Sequence, residues 1–286
     1  MQETVLTLGH SPDADDAFMF YALAEGRVHT PGLRFEHVLQ DIQTLNERAL
    51  RGELDITAIS FAAYPAVAAH YALLPSGASM GDGYGPLVVA HRRLGREELL
   101  RCKIAVPGVL TSAFLALQLW LERPACELDY IVVPFDRIFD ALAEGRAEAG
   151  LLIHEGQLTY GRSGLEVCVD LGRWWAETQD GLPLPLGGNV IHKRHPDPLR
   201  SRVARILTAS IRYALDHRPE ALAHALRYGR GLDPELADRF VGMYVNHWTL
   251  DYGPKGREAI RRFLGLAHQR GLLPSQPELE FVEIGS

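Results

Sequence analysis

The sequence predicts an α/β fold built as two similar lobes, and three observations predict it. Short apolar runs alternate with amphipathic stretches in the rhythm strand, helix, strand, helix, strand. Near residue 103 the same succession starts again. At 286 residues and 47% hydrophobic content, the chain is also long enough for two cores of ordinary domain size.

In the first lobe, Thr4 to Leu8 alternates like a strand. Ser11-Pro12 follows as a helix cap with proline at the first helical position, and Asp13, Asp15 and Asp16 lie near the positive helix end. This helix is expected to run to about Ala24 and stop before Gly26. Leu33 to Leu39 is a second strand, Asp41 caps a helix through Leu50, and Gly52 closes that helix in the C′ role. Asp55 to Ile59 is a third strand ending on Ser60. The rhythm implies a parallel sheet with crossover helices. Gly81, Gly83 and Gly85 then loosen the chain before the apolar run Pro86 to Ala90.

The second lobe opens with a strand at Lys103 to Val106, breaks at Pro107-Gly108, and resumes as a helix whose first turn holds Thr111, Ser112 and Ala113. Ile131 to Val133 is its next strand. From there Asp136, Ala141-Leu142, Gly145, Glu148 and the apolar run to Ile153 echo Asp41, Ala49-Leu50, Gly52, Asp55 and the run to Ile59. Each copy ends a strand on a polar residue, Ser60 in one and His154 in the other. Gly188 to His192 is a short strand, and helical patterns cover Leu199 to His217, Pro219 to Tyr228, Pro234 to Trp248 and Gly256 to Arg270. Residues 86–100 and 182–192 are expected to connect the lobes as a two-strand hinge, leaving a ligand cleft between them. The lobes are then 1–98 with 188–286, and 99–187.

Strand ends and helix starts are where α/β proteins gather functional groups. That rule selects Ser11 to Asp16, Ser60 with Phe61, Thr111 to Ala113, and His154 with Glu155. An imidazole with an ordinary pKa of about 6.5 is a competent base near neutral pH, which makes His154 the leading acid or base. Helix-start amides hold carboxylates without an arginine, and Thr111 with Ser112 is the expected anion seat. Plainer roles stand beside these: a solvated loop histidine, a simple helix cap at Thr111, and helix-dipole neutralisation by Asp13 and Asp15. Trp174-Trp175 and Phe18, Phe20 and Tyr21 could stack on an aromatic ligand, though such residues more often fill cores.

Composition removes several function classes. A net charge of -7 gives no basic footprint for nucleic acid or an anionic membrane, leaving a small molecule or a protein as partner. There is no Gly-x-Ser-x-Gly elbow, phosphate loop or dinucleotide fingerprint. Cys102, Cys126 and Cys168 are scattered and fit reduced thiols, and His192 with His195 lacks a third ligand, so neither cofactor nor metal is expected. The N-terminus carries no export signal and no run reaches membrane-spanning length, which predicts a cytoplasmic protein.

A set of motifs then runs in order along nearly the whole chain. They are Ser11-Pro12 with Asp16, Phe18 and Tyr21-Ala22-Leu23; Asp41 with Thr44-Leu45-Asn46; and Ser60 with Ala62-Ala63-Tyr64. Gly85 to Val89, Val106-Pro107-Gly108, Ile153-His154-Glu155, Asp170-Leu171-Gly172 with Trp174-Trp175, and Leu182 to Gly187 complete it. In these the chain resembles the 1,4-dihydroxy-6-naphthoate synthases of the futalosine route to menaquinone. The resemblance implies a two-lobed fold of the type II periplasmic-binding-protein kind. It also implies a lyase acting without a cofactor on cyclic dehypoxanthinyl futalosine, with His154 as proton acceptor and a small-molecule carboxylate as substrate. Ala58, Ile59, Ser60, Ser112 and Ala113 are implied to hold that substrate, with Thr111, Asn46, Ser11 and Asp16 lining the cleft. The chain departs from the family at Ala58, where relatives can carry lysine, and at Thr111-Ser112, where they carry two threonines. The resemblance leaves side-chain contacts at those two places open, whereas backbone contacts can carry over. Two other readings share the fold: chorismate dehydratase of the same pathway, and a solute-binding protein without catalysis.

Overall fold

Two mixed β-sheets carry the structure, a computed structural model that describes residues 3–229 and 232–284. The chain divides into two compact units, one of Met1–Ser79, Gly187–Arg257 and Pro277–Ser286, the other of Met80–Leu186 and Glu258–Gln276. The strands are β1 (Thr4–His10), β2 (Leu33–Leu39), β3 (Ile56–Ser60), β4 (Tyr71–Leu73), β5 (Ser79–Gly81), β6 (Leu87–Ala90), β7 (Ile104–Val106), β8 (Tyr130–Val132), β9 (Ala149–Leu152), β10 (Glu166–Asp170) and β11 (Leu184–His192).

In the first unit the order is β2-β1-β3-β11-β4, with β5 also on β11. β1 runs parallel to β2, from Thr4 opposite Leu33 to His10 opposite Leu39, and parallel to β3, with Leu8 opposite Ile56. β11 returns antiparallel, placing Gly187 opposite Ser60 and Asn189 opposite Ala58. Helix Ile42–Leu50 forms as its sequence dictates: Asp41 accepts from the Thr44 amide at 3.1 Å, and Gly52 leaves with φ +66°. The buried face of that helix packs Leu45 against Leu54 and Ala58.

In the second unit the order is β10-β6-β9-β7-β8. β7 is parallel to β8 and to β9, while β6 runs antiparallel to β9, with Leu87 opposite Leu152. Leu87, Val89, Ala105, Ile138, Leu142 and Leu152 form the centre of its core. Gly150 is required there, because a Cβ would sit 2.6 Å from the Ile138 side chain. The two sheets therefore share one topology. β2-β1-β3-β11-β4 and β8-β7-β9-β6-β10 each hold three parallel strands joined by helices, followed by an antiparallel return. The sequence echo between the lobes is thus an architectural repeat, although each sheet is mixed and not wholly parallel.

Several expectations shift. The helix predicted from Ser11-Pro12 is capped by Asp13, whose Oδ1 accepts from the Asp16 amide at 3.2 Å, and it divides at Phe20 into Ala14–Met19 and Tyr21–Ala24. The strand before His154 ends at Leu152, and the strand expected at Gly188 begins at Leu184. The unit boundaries differ from 98/99 and 187/188, and the chain passes between units at four points where two were expected. β6 pairs with β9 and β10, so residues 87–90 belong to the second sheet and are no connector. Glu258–Gln276 joins the second unit because Phe263 packs on Trp175 at 5.4 Å and Arg262 binds Asp180 at 2.7 Å. Trp175 is core, its indole N–H donating to the Pro183 carbonyl, and Phe18 and Phe20 are fully buried. Among the described residues, no helix is long and apolar enough to cross a membrane.

Candidate active site

In the first unit, adjacency of parallel β1 and β3 brings their C-terminal ends to one sheet edge. β1 pairs with β3 as far as Thr57, so Ala58, Ile59 and Ser60 extend past that pairing. Asn46 reaches this edge from helix Ile42–Leu50 and grips Ser60 twice: its Oδ1 accepts from the Ser60 amide at 2.8 Å, and its Nδ2 donates to Ser60 Oγ at 3.1 Å. Both residues are buried, so this pair fixes the end of β3 in the apolar interior. Ser11 and Asp16 occupy the turn after β1, where the Ser11 amide donates to Asp16 Oδ2 at 2.6 Å. The Ser11 hydroxyl is buried and has no protein partner.

In the second unit the same construction recurs. Thr111 caps helix Ser112–Leu121, its hydroxyl donating to the Gly108 carbonyl at 2.8 Å and accepting from the Phe114 amide at 3.2 Å. The first main-chain bond of the helix comes at Leu115, which donates to the Thr111 carbonyl, so the Ser112 and Ala113 amides precede the helical ladder. Parallel pairing of β7 with β9 sets that helix start and His154 beyond the same sheet edge. His154 has φ +54°, left-handed backbone that a residue with a Cβ adopts only when its surroundings hold it there. What holds it is visible: the Gln157 amide donates to the His154 carbonyl at 3.1 Å, and the Phe135 ring lies 4.4 Å from the imidazole at 53°. Ser11, Asp16, Asn46, Ala58, Ile59, Ser60, Thr111, Ser112 and Ala113 are all buried, and His154 is half-buried.

Sequence reasoning overlooked Phe135 and misassigned part of the aspartate cluster. Phe135 follows β8, so the strand-end rule could have found it. Asp13 is the helix cap, but Asp15 is buried, and its carboxyl is held well above the ordinary range by burial first, then by the charges of Asp13 and Asp16. Elsewhere in the unit, His195 binds Asp55 at 2.8 Å, and Arg194 binds it at 2.7 Å, holding the Asp55 carboxyl down at about 2 despite burial. His195 is thereby tied into the structure through Asp55.

The fold is that of the periplasmic binding proteins. The alkanesulfonate-binding protein SsuA of Xanthomonas axonopodis pv. citri superposes with a TM-score of 0.71 at 14% identity, covering 98% of this chain and 97% of that one. Closer relatives lie elsewhere. A family model described as Menaquinone biosynthesis matches residues 6–269, and the chain belongs to that family. The 1,4-dihydroxy-6-naphthoate synthase of Thermus thermophilus is 42% identical over 277 residues, 97% of this chain and 99% of the relative. A crystal structure of an Archaeoglobus fulgidus protein matches with a TM-score of 0.89 at 43% identity, covering 94% of this chain and 98% of its own.

Proposed function

We propose that this chain is a 1,4-dihydroxy-6-naphthoate synthase, a carbon–carbon lyase that converts cyclic dehypoxanthinyl futalosine to 1,4-dihydroxy-6-naphthoate and dihydroxyacetone in menaquinone biosynthesis. The observation that carries the reading is full-length similarity to a protein of that name, with His154 held in left-handed backbone beyond β9. His154 takes a proton from the cyclised substrate, and the ring then fragments. A residue held in strained backbone at a strand end keeps its ring in one place, which is what general-base geometry requires. The Ser112 and Ala113 amides receive the substrate carboxylate, needing no cation and only backbone donors. Ala58 to Ser60, steadied by Asn46, hold the rest of the substrate, and the reaction takes place in the cytoplasm. His154→Ala is expected to lower kcat by about two to four orders of magnitude with KM little changed, read by naphthoate fluorescence. Near-normal turnover in that variant would end the assignment of the base. Dehydration of chorismate by the wild-type protein, with no naphthoate formed, would end the reading itself.

A further inference from the structure

We infer that Asp15 is a substrate-binding residue: its Oδ1, together with the Ser11 hydroxyl, receives a hydroxyl group of the ligand's carbon chain. The inference rests on the lyase reading above for the identity of the ligand. It starts from two buried atoms. Asp15 Oδ1 and Ser11 Oγ are enclosed, on side chains 6% and 3% exposed, and neither has a hydrogen-bond partner within the protein. Native interiors satisfy nearly all such atoms, and an orphan at a strand-end turn is most simply one that a ligand satisfies. Two orphans arise here from one six-residue turn, beyond the same sheet edge as Ser60.

The chemistry of the turn says what the ligand group must be. Asp15 shares a side-chain hydrogen bond with Asp13, and two carboxyl groups can do so only when one carries a proton. Asp13 already accepts the Asp16 amide at 3.2 Å, and Asp16 accepts the Ser11 amide at 2.6 Å, bonds that favour charge on those two. The proton therefore belongs to Asp15, where burial and the flanking charges keep the carboxyl neutral. On the helices packed against this turn, Arg218 is engaged with Asp238 at 2.7 Å, and His224, whose pKa burial lowers, contacts Glu25 at 3.1 Å. With its O–H directed to Asp13, Asp15 presents a bare carbonyl oxygen. That oxygen accepts from a hydroxyl and, being uncharged, tolerates a ligand that is itself an anion. Alcohol groups of a sugar-derived segment meet this requirement.

Substitutions separate this role from the alternatives. In Asp15→Asn the amide N–H donates to Asp13 and the amide oxygen takes the same hydroxyl, so KM is expected to rise less than in Asp15→Ala, with kcat well above that of His154→Ala. Asp15→Ala and Ser11→Ala each remove a ligand contact and are expected to raise KM about tenfold. Loss of kcat in Asp15→Asn as severe as in His154→Ala would mean that Asp15 transfers a proton, and would overturn the inference. Unchanged KM in Asp15→Ala would overturn it as well. An infrared difference spectrum supplies a readout that needs neither turnover nor the alanine variant to fold. The wild-type protein at neutral pH should show a protonated-carboxyl carbonyl band that Asp15→Asn lacks. In the His154→Ala protein, added substrate should shift that band to lower frequency. Absence of the band, or a band indifferent to substrate, refutes the role of Asp15. Failure of the wild-type protein to make the naphthoate refutes the lyase reading and leaves the band as a separate result.

Discussion

Replacing His10 with glutamine should remove a pH dependence of stability that the wild-type first unit carries. His10 is 5% exposed, its Nδ1 lies 3.3 Å from the Ser11 carbonyl, and its Nε2 lies 2.9 Å from His37 Nδ1. A carbonyl only accepts, so His10 Nδ1 carries the hydrogen, and Nε2 must then accept from His37. Protonating His10 would set two N–H groups against each other in a dry site, and its pKa is pushed down to about 3, by burial first and His37 second. The unfolded chain, with an ordinary value of about 6.5, binds the extra proton throughout the window between these values. Stability from this group is therefore complete above about pH 6.5 and is lost as pH falls toward about 3, at roughly 1.4 kcal/mol per unit. Between pH 6.5 and 5 the loss is about 2 kcal/mol, against a ceiling of about 5 kcal/mol at the acid end. Urea unfolding of wild type and His10→Gln at half-unit steps from pH 7 to 5 measures it, and the difference between the two curves should close by about 2 kcal/mol on acidification. Curves that stay parallel over that range would refute the reasoning.

Asn46→Ala strands the Ser60 amide in the interior and should cost about 1–3 kcal/mol in chemical denaturation, with a larger KM because the end of β3 loosens. Asn46→Asp keeps the acceptor but loses the donor to Ser60 Oγ, and should fall between wild type and alanine in the same assay. Gly172→Ala would place a Cβ 1.9 Å from the Tyr84 carbonyl oxygen and 2.5 Å from the Gly85 nitrogen, so a melting-temperature loss equivalent to about 3 kcal/mol or more is expected. Gly145→Ala serves as its control: it has open space and φ +69°, and should cost about 1 kcal/mol from strain alone.

Local chemistry was legible in the sequence, and long-range pairing was not. Asp41, Gly52 and Thr111 announce the ends of their helices because a cap is a contact within four residues. β2 was foreseen at Leu33–Leu39 for a related reason, since turn residues bound it on both sides. The apolar run at 86–90, by contrast, could join either sheet, and only its pairing with β9 and β10 settles the matter. Ser11 lost the capping role to Asp13 because an acid two residues later reaches the helix amide while Ser11 is tied back to Asp16. Asp15 was illegible for a different reason: a run of acids at a helix start reads as dipole compensation, and nothing in the sequence says that one of them is enclosed beside the other two. His154 was found, yet its left-handed backbone was not, because strain of that kind is imposed by neighbours such as Phe135 and Gln157.

The repeat of one sheet topology explains why family motifs divide into two physical kinds. Ser60 at the end of β3 and His154 just past β9 lie at corresponding strand ends, and the helix caps Asp13 and Thr111 follow β1 and β7. These positions sit at strand ends, where side chains are spared from filling the core and are available for chemistry. Gly85 and Gly172 belong to the other kind. Their backbones approach so closely that a Cβ on Gly85 would lie 2.8 Å from Gly172, and Asp170 caps the helix that brings Gly172 there. Such residues restrict sequence as tightly as a catalytic group does, but through packing, and their replacement should lower stability with kcat of the surviving folded enzyme preserved. The split between melting temperature and kcat thus sorts the motif residues, with Gly172 on one side and His154 on the other.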